Sequence, residues 1–89
     1  MGDHEAERLH EAIGQRIREL RLAKGAVSQE GLAARAGLHR TFVGKLERGE
    51  TATTVDSLAA LCVALDTTLA DFFSPFNKPP KLRGPRRRR

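Results

Sequence analysis

Ser28-Gln-Glu-Gly-Leu-Ala-Ala-Arg-Ala-Gly-Leu-His-Arg-Thr-Phe-Val-Gly-Lys-Leu-Glu-Arg-Gly49 is the stretch on which the architecture turns. Ser28 is a good helix N-cap, and Leu32, Ala33 and Ala36 then share one face of a short helix over Gln29 to Ala36. Gly37 supplies the left-handed residue that ends it, and the reversal that follows is very short. A further helix, about Arg40 to Glu47, turns Phe42, Val43 and Leu46 inward and leaves Arg40, Thr41, Gly44 and Lys45 facing out. Small Ala33 lets the two helices cross steeply, while Leu38, Val43 and Leu46 lock the second onto the first. An ordinary helical hairpin with no ligand would use the same small residues at its contact.

The outward face weighs against that plain hairpin. His39, Arg40, Thr41 and Lys45 are donors or small groups suited to base edges in a major groove. Arg16, Arg18, Arg35 and Arg48 surround them at positions from which phosphates on either side come within reach, and the acids Glu5, Glu7, Asp66 and Asp71 fall in regions expected on other faces.

Upstream, Leu9, Ile13, Ile17 and Leu20 form an amphipathic stripe, which predicts a helix from Ala6 to Lys24 stopped by Gly25. Downstream, Gly49 closes the third helix as Gly37 closes the second. Thr54 caps a fourth helix with Asp56 in its first turn, where a negative charge is favoured, and Val55, Leu58, Leu61, Cys62 and Leu65 are expected to form its buried stripe. Thr68 caps a fifth, short helix through Phe73. No strand-like alternation appears, so the expected fold is all-α: a bundle of five helices.

The 89 residues allow one domain, taken as 1–76, followed by a tail over 77–89. The net charge of +5 is unevenly divided: residues 1–76 hold 9 Lys/Arg against 11 Asp/Glu, whereas 77–89 hold 7 Lys/Arg and no acids. The body is mildly acidic, and a nucleic-acid argument for it must rest on where its charges lie. The tail, with Pro79, Pro80, Pro85 and Arg86 to Arg89, has little to bury and is expected to be disordered in isolation. It reads either as a basic arm that adds phosphate attraction or as a solubilising remnant.

Cys62 is the only cysteine, and His4, His10 and His39 have no ligand spacing, so an internal disulfide, a metal site and a cofactor are not expected. No apolar run approaches the length of a membrane span, and Asp3, Glu5 and Glu7 stand where a signal peptide would be basic. The chain is therefore read as intracellular, and no membrane partner is expected. Ser28, His39 and Glu47 fit capping, readout and ion-pair roles, and no convincing nucleophile–base pair or phosphate loop points to an enzyme.

From about Ile13 to Phe73 the chain resembles the Xre/Cro-like helix-turn-helix repressor family. The resemblance rests on Arg16-Ile-Arg-Glu-Leu-Arg21, Ser28-Gln29, Leu32-Ala33, Ala36-Gly37-Leu38, Leu46-Glu47-Arg48-Gly49, Leu58 to Leu65 and Leu69-Ala-Asp-Phe-Phe73. It implies a five-helix domain that binds double-stranded DNA to regulate transcription. Gln29 would contact a phosphate, alongside Arg16, Arg35 and Arg48. His39, Arg40, Thr41 and Lys45 would occupy base-reading and adjacent positions, with Arg40 suited to guanine O6 and N7. It also implies a structural ion pair between Arg21 and Glu47.

Three departures from the family pattern stand out. Gly25-Ala26-Val27 makes the first link about one residue longer; Gly31 replaces the acid that would complete a capping box; and Gly44 lies on the expected outward face of the third helix, as a site of close backbone approach or as plain surface. A domain this small gains specificity by reading two half-sites, so a homodimer on a palindromic operator is expected, with Leu69, Phe73 and Phe76 at its interface. Closure of the monomer by those side chains is the alternative. An antitoxin that holds a toxin protein, or a restriction-modification controller protein, are the other functional readings, and a toxin or the polymerase are possible protein partners.

Overall fold

The computed structural model describes residues 3–76, and the hydroxyls of Ser28, Thr54 and Thr68 set where three of its helices begin. Each accepts a hydrogen bond from a backbone N–H three residues on: Gly31 at 2.8 Å, Ser57 at 3.0 Å and Asp71 at 3.0 Å. The element order is α1 (Asp3–Ala23), α2 (Gln29–Ala36), α3 (Phe42–Glu47), α4 (Val55–Ala64) and α5 (Leu69–Phe72). There is no strand among the described residues. The fold is an all-α bundle of five helices.

α2 and α3 end alike. Gly37 (φ 71°) and Gly49 (φ 72°) take the left-handed conformation, and the N–H groups of Gly37 and Leu38 donate to Ala34 and Ala33, as those of Gly49 and Glu50 donate to Leu46 and Lys45. These paired bonds satisfy the last carbonyls of each helix and fix the direction in which the chain leaves it.

One apolar cluster joins the helices: Ile17 from α1, Leu32 and Ala33 from α2, Val43 and Leu46 from α3, Leu58, Leu61 and Cys62 from α4, then Leu65 and Phe72. Of these, Ile17, Leu32, Val43, Leu61 and Phe72 are wholly buried, each worth roughly 1.5–3 kcal/mol of transfer free energy. Burial also pushes the Cys62 thiol up, so the group is a core atom and a poor nucleophile.

Several expectations are corrected here. α1 begins at Asp3, ahead of Ala6, because the acidic residues at its start suit the positive end of a helix. α3 begins at Phe42, not Arg40, because His39 takes over the first N–H groups: Thr41 N donates to His39 Nδ1 (3.2 Å) and Phe42 N to the His39 carbonyl (2.9 Å). Val55 is not in the buried stripe of α4; it stands in the open first turn, 71% exposed, and Val63 is 75% exposed on the outer side of the same helix.

Arg16, expected at a phosphate, is occupied elsewhere. Its Nε donates to the Phe72 carbonyl (2.7 Å) and its Nη2 to the Asp71 carbonyl (2.9 Å), tying α1 to the last turn of α5. A cation there also suits the negative end of that helix.

α1 and α3 approach closely at Gly14. A Cβ added there would lie 2.0 Å from the Leu46 carbonyl oxygen and 3.0 Å from the Glu47 Cα, so α1 can lie against the backbone of α3 only where it carries no side chain. Replacing Gly14 with alanine must push the two helices apart; we expect a loss of about 2 kcal/mol or more and a Tm lowered by about 10 °C in a thermal melt. An unchanged Tm would mean that the close contact does not exist.

Candidate nucleic-acid interface

Glu47, the last residue of α3, has a side chain only 2% exposed, and two other helices, α1 and α2, converge on it. Arg21 of α1 donates from Nε to Oε2 (2.7 Å) and from Nη2 to Oε1 (3.0 Å), a bidentate pair. Gln29, the first residue of α2, donates from Nε2 to Oε1 (2.9 Å), and Arg18 Nη1 stands 3.8 Å away. The third guanidinium nitrogen of Arg21 donates to the Val27 carbonyl (2.9 Å), so the longer link Gly25-Ala26-Val27 is held to α1 by the same side chain.

Burial pushes the Glu47 carboxyl up, but hydrogen bonds from Arg21 and Gln29 and the charges of Arg21 and Arg18 outweigh it and hold the group below its usual 4.5. The Arg21 guanidinium is correspondingly raised by its hydrogen bond to Glu47. The pair stays ionised at neutral pH.

Gly44 does not face outward as expected; it is buried, and the reason is Gln29. A Cβ at Gly44 would come 3.0 Å from Gln29 Oε1 and 3.2 Å from Arg48 Nη1, so a missing side chain makes room for the amide that Glu47 holds. The glycine thus serves the α2–α3 contact rather than the approach of an outside strand.

The clamp leaves a polar face on the turn before α3 and along its outer side. His39, Arg40, Thr41 and Lys45 are all exposed. His39 Nδ1 lies 3.2 Å from the Thr41 backbone nitrogen, whose N–H it accepts, and 3.0 Å from Thr41 Oγ1. Arg35 is exposed near the end of α2, and Arg48 is half-exposed beyond the end of α3, where it pairs with Glu50 (2.7 Å). Gln29 is half-buried at the N-terminus of α2. At the end of α5 and just beyond it, Phe72, Phe73 and Phe76 form a ring cluster with centroids 4.9 to 6.5 Å apart; Phe72 is buried, Phe73 and Phe76 half-buried, and Leu69 36% exposed.

Sequence reasoning missed Gly14, the fit of Gly44 under Gln29, the Arg48–Glu50 pair and exposed Val63. Gly14 carried a signal, being a glycine beside Ile13 inside an apolar stripe. Glu50 also carried one, as an acid next to a capping glycine and two residues from an arginine.

Residues 17–72 match the helix-turn-helix family model. The chain belongs to the helix-turn-helix family. It is a DNA-binding regulator of that fold. It is similar to the control protein C.BamHI of Bacillus amyloliquefaciens, 40% identical over 53 residues, 60% of this chain and 65% of that protein, just under two thirds of its length. It is also similar to the control protein C.SmaI of Serratia marcescens, 38% identical over 61 residues, 68% of this chain and 71% of that protein. Among solved structures, that of the restriction-modification controller protein C.AhdI from Aeromonas hydrophila superposes with a TM-score of 0.71 at 43% identity, over 81% of this chain and all of that one.

In this helix-turn-helix chain the Glu47 cluster fixes α3 against α1 and α2, and removing the Arg21 guanidinium leaves a buried carboxylate without its bidentate partner. Arg21→Ala is expected to cost about 3–5 kcal/mol, read as a lower denaturation midpoint. Because Glu47 titrates lower when folded, its stabilisation is complete above its ordinary value of 4.5 and fades as the pH falls through the lower folded value. Acid melts should therefore lose stability below about pH 4 in the parent, with a shallower dependence in Glu47→Gln. Equal acid dependence in the two would remove Glu47 from this role.

Proposed function

We propose that the chain regulates transcription as a homodimer that reads a palindromic DNA operator, with Arg40, Thr41, Lys45 and His39 at base edges and Gln29, Arg35 and Arg48 at phosphates. The observation that carries this reading is the exposed donor set on the turn and outer side of α3, mounted on a helix that Glu47 ties to both α1 and α2. Arg40 has a bidentate fork for guanine O6 and N7, worth roughly 1–3 kcal/mol of discrimination. Gln29 is anchored through its nitrogen, so its position relative to α3 is set before any ligand arrives. Arg16 drops out of the phosphate set, because α5 holds its guanidinium.

The dimer reading is supported by apolar side chains left outside: Val55, Val63 and Leu69 are exposed, and Phe73 and Phe76 are half-covered. Val55, Ala59 and Val63 recur every four residues, which puts a stripe on the outer side of α4 that the monomer covers only at Ala59, and there only in part. Two copies joined there would present their α3 elements to half-sites about 34–36 Å apart. The similarity to C.BamHI, C.SmaI and C.AhdI favours a controller of restriction-modification genes over an antitoxin, and such a protein would work in the cytoplasm. The basic tail over 77–89 lies outside the described residues, and its role as an arm remains part of the proposal only through its charge.

Selection from randomised duplexes with the purified chain should yield a palindromic consensus, and Arg40→Ala should alter or lose it. A chain that prefers no duplex over heparin would sink the reading. Independently, size-exclusion with light scattering at micromolar concentration should report a dimer, and Val63→Glu should shift it to monomer; a strict monomer in the parent would remove the two-fold model.

A further inference from the structure

Glu50 is an acid planted among the cations that the proposed interface would aim at phosphates. Its backbone is fixed by the C-terminal cap of α3: Gly49 takes the left-handed turn and the Glu50 N–H donates to the Lys45 carbonyl at 2.9 Å. The carboxylate then folds back onto Arg48, whose Nε donates to Oε2 (2.7 Å) and whose Nη2 donates to Oε1 (3.3 Å). This is the two-pronged geometry with which a guanidinium grips a phosphate, so the Nε/Nη2 edge of Arg48 is already occupied. Both side chains are about half exposed, at 56% and 52%, so the site is open to an incoming strand.

We propose that Glu50 is a built-in phosphate mimic that DNA must displace before Arg48 can engage the backbone, and that it thereby holds down sequence-independent affinity. The inference rests on the reading that the face around α3 meets DNA. The hydrogen bond from Arg48, with the charges of Arg48 and Lys45, keeps the Glu50 carboxyl below its usual range, so it is an anion at any pH at which DNA would be bound. An exposed ion pair is weak enough to be exchanged for a phosphate, and the exchange carries a cost on every sequence alike. Base reading by Arg40 is untouched, because phosphate contacts position a protein without specifying sequence. The acid lowers the hold on every duplex by a common factor and so limits how much of the protein is retained on unrelated DNA.

The test uses the full chain and follows binding by fluorescence anisotropy across a potassium chloride series. The probes are the selected consensus duplex and a scrambled duplex of equal length. Glu50→Gln is expected to bind both about 2- to 5-fold more tightly. Its plot of log affinity against log salt should be steeper by about 0.9, the signature of one more neutralised phosphate. In an Arg48→Gln background the same Glu50 change should produce no gain, because the guanidinium it releases is absent. An unchanged affinity and slope in Glu50→Gln, weaker binding, or a gain that persists in full without Arg48 would each overturn the proposal. Failure of the unaltered chain to bind any duplex would instead sink the interface reading, and this inference with it.

Discussion

Glu47 carries one negative charge into a place where water barely reaches, and the protein is arranged so that this charge is always answered. Two nitrogens of Arg21 and one of Gln29 take up its oxygens. A carboxylate so placed is tolerable only with partners, and the partners come from α1 and α2 while the acid belongs to α3. Breaking α1 away from α3 therefore leaves an uncompensated ion. The cluster contributes relative placement more than net stability, since an apolar trio of similar volume would pack as well. Its use is that three helices can have only one mutual arrangement.

Two glycines make that arrangement geometrically possible. Gly14 lets the axis of α1 come down onto the carbonyl of Leu46, which brings Arg21, seven residues further along α1, to the side of Glu47. Gly44 clears the space in which the Gln29 amide lies. Both are costly inside helices, by roughly 0.5–1 kcal/mol each relative to alanine, and both are offset by contacts that any side chain would obstruct. The apolar core from Ile17 to Phe72 supplies most of the favourable free energy, but these glycines and the ion cluster decide how the turn before α3 is presented.

That presentation has two chemically distinct zones. The turn over His39, Arg40 and Thr41 and the side chain of Lys45 offer donors with no acid pairing them in the described hydrogen bonds. The C-terminal side of α3 is different, because Arg48 is held by Glu50. A ligand with many anionic groups would find the first zone open and the second one in competition with Glu50.

The helices, their caps and most of the core were legible in the chain because they follow from local rules: apolar spacing near 3.6 residues, hydroxyls ahead of each run, and glycine after it. Ser28, Thr54 and Thr68 do cap α2, α4 and α5, and Leu32, Val43, Leu46 and Leu61 are buried as their pattern implies. What local pattern does not contain is which surface meets which. Arg16 and Arg48 were both expected at phosphates, yet one is held by the carbonyls at the end of α5 and the other by Glu50. Val55 has the right spacing for a core residue and lies outside, while Gly44 has the spacing of a surface residue and lies inside. Spacing fixes an angle around one helix axis, whereas burial depends on how far along that axis a second helix reaches, and only the packed structure sets that distance.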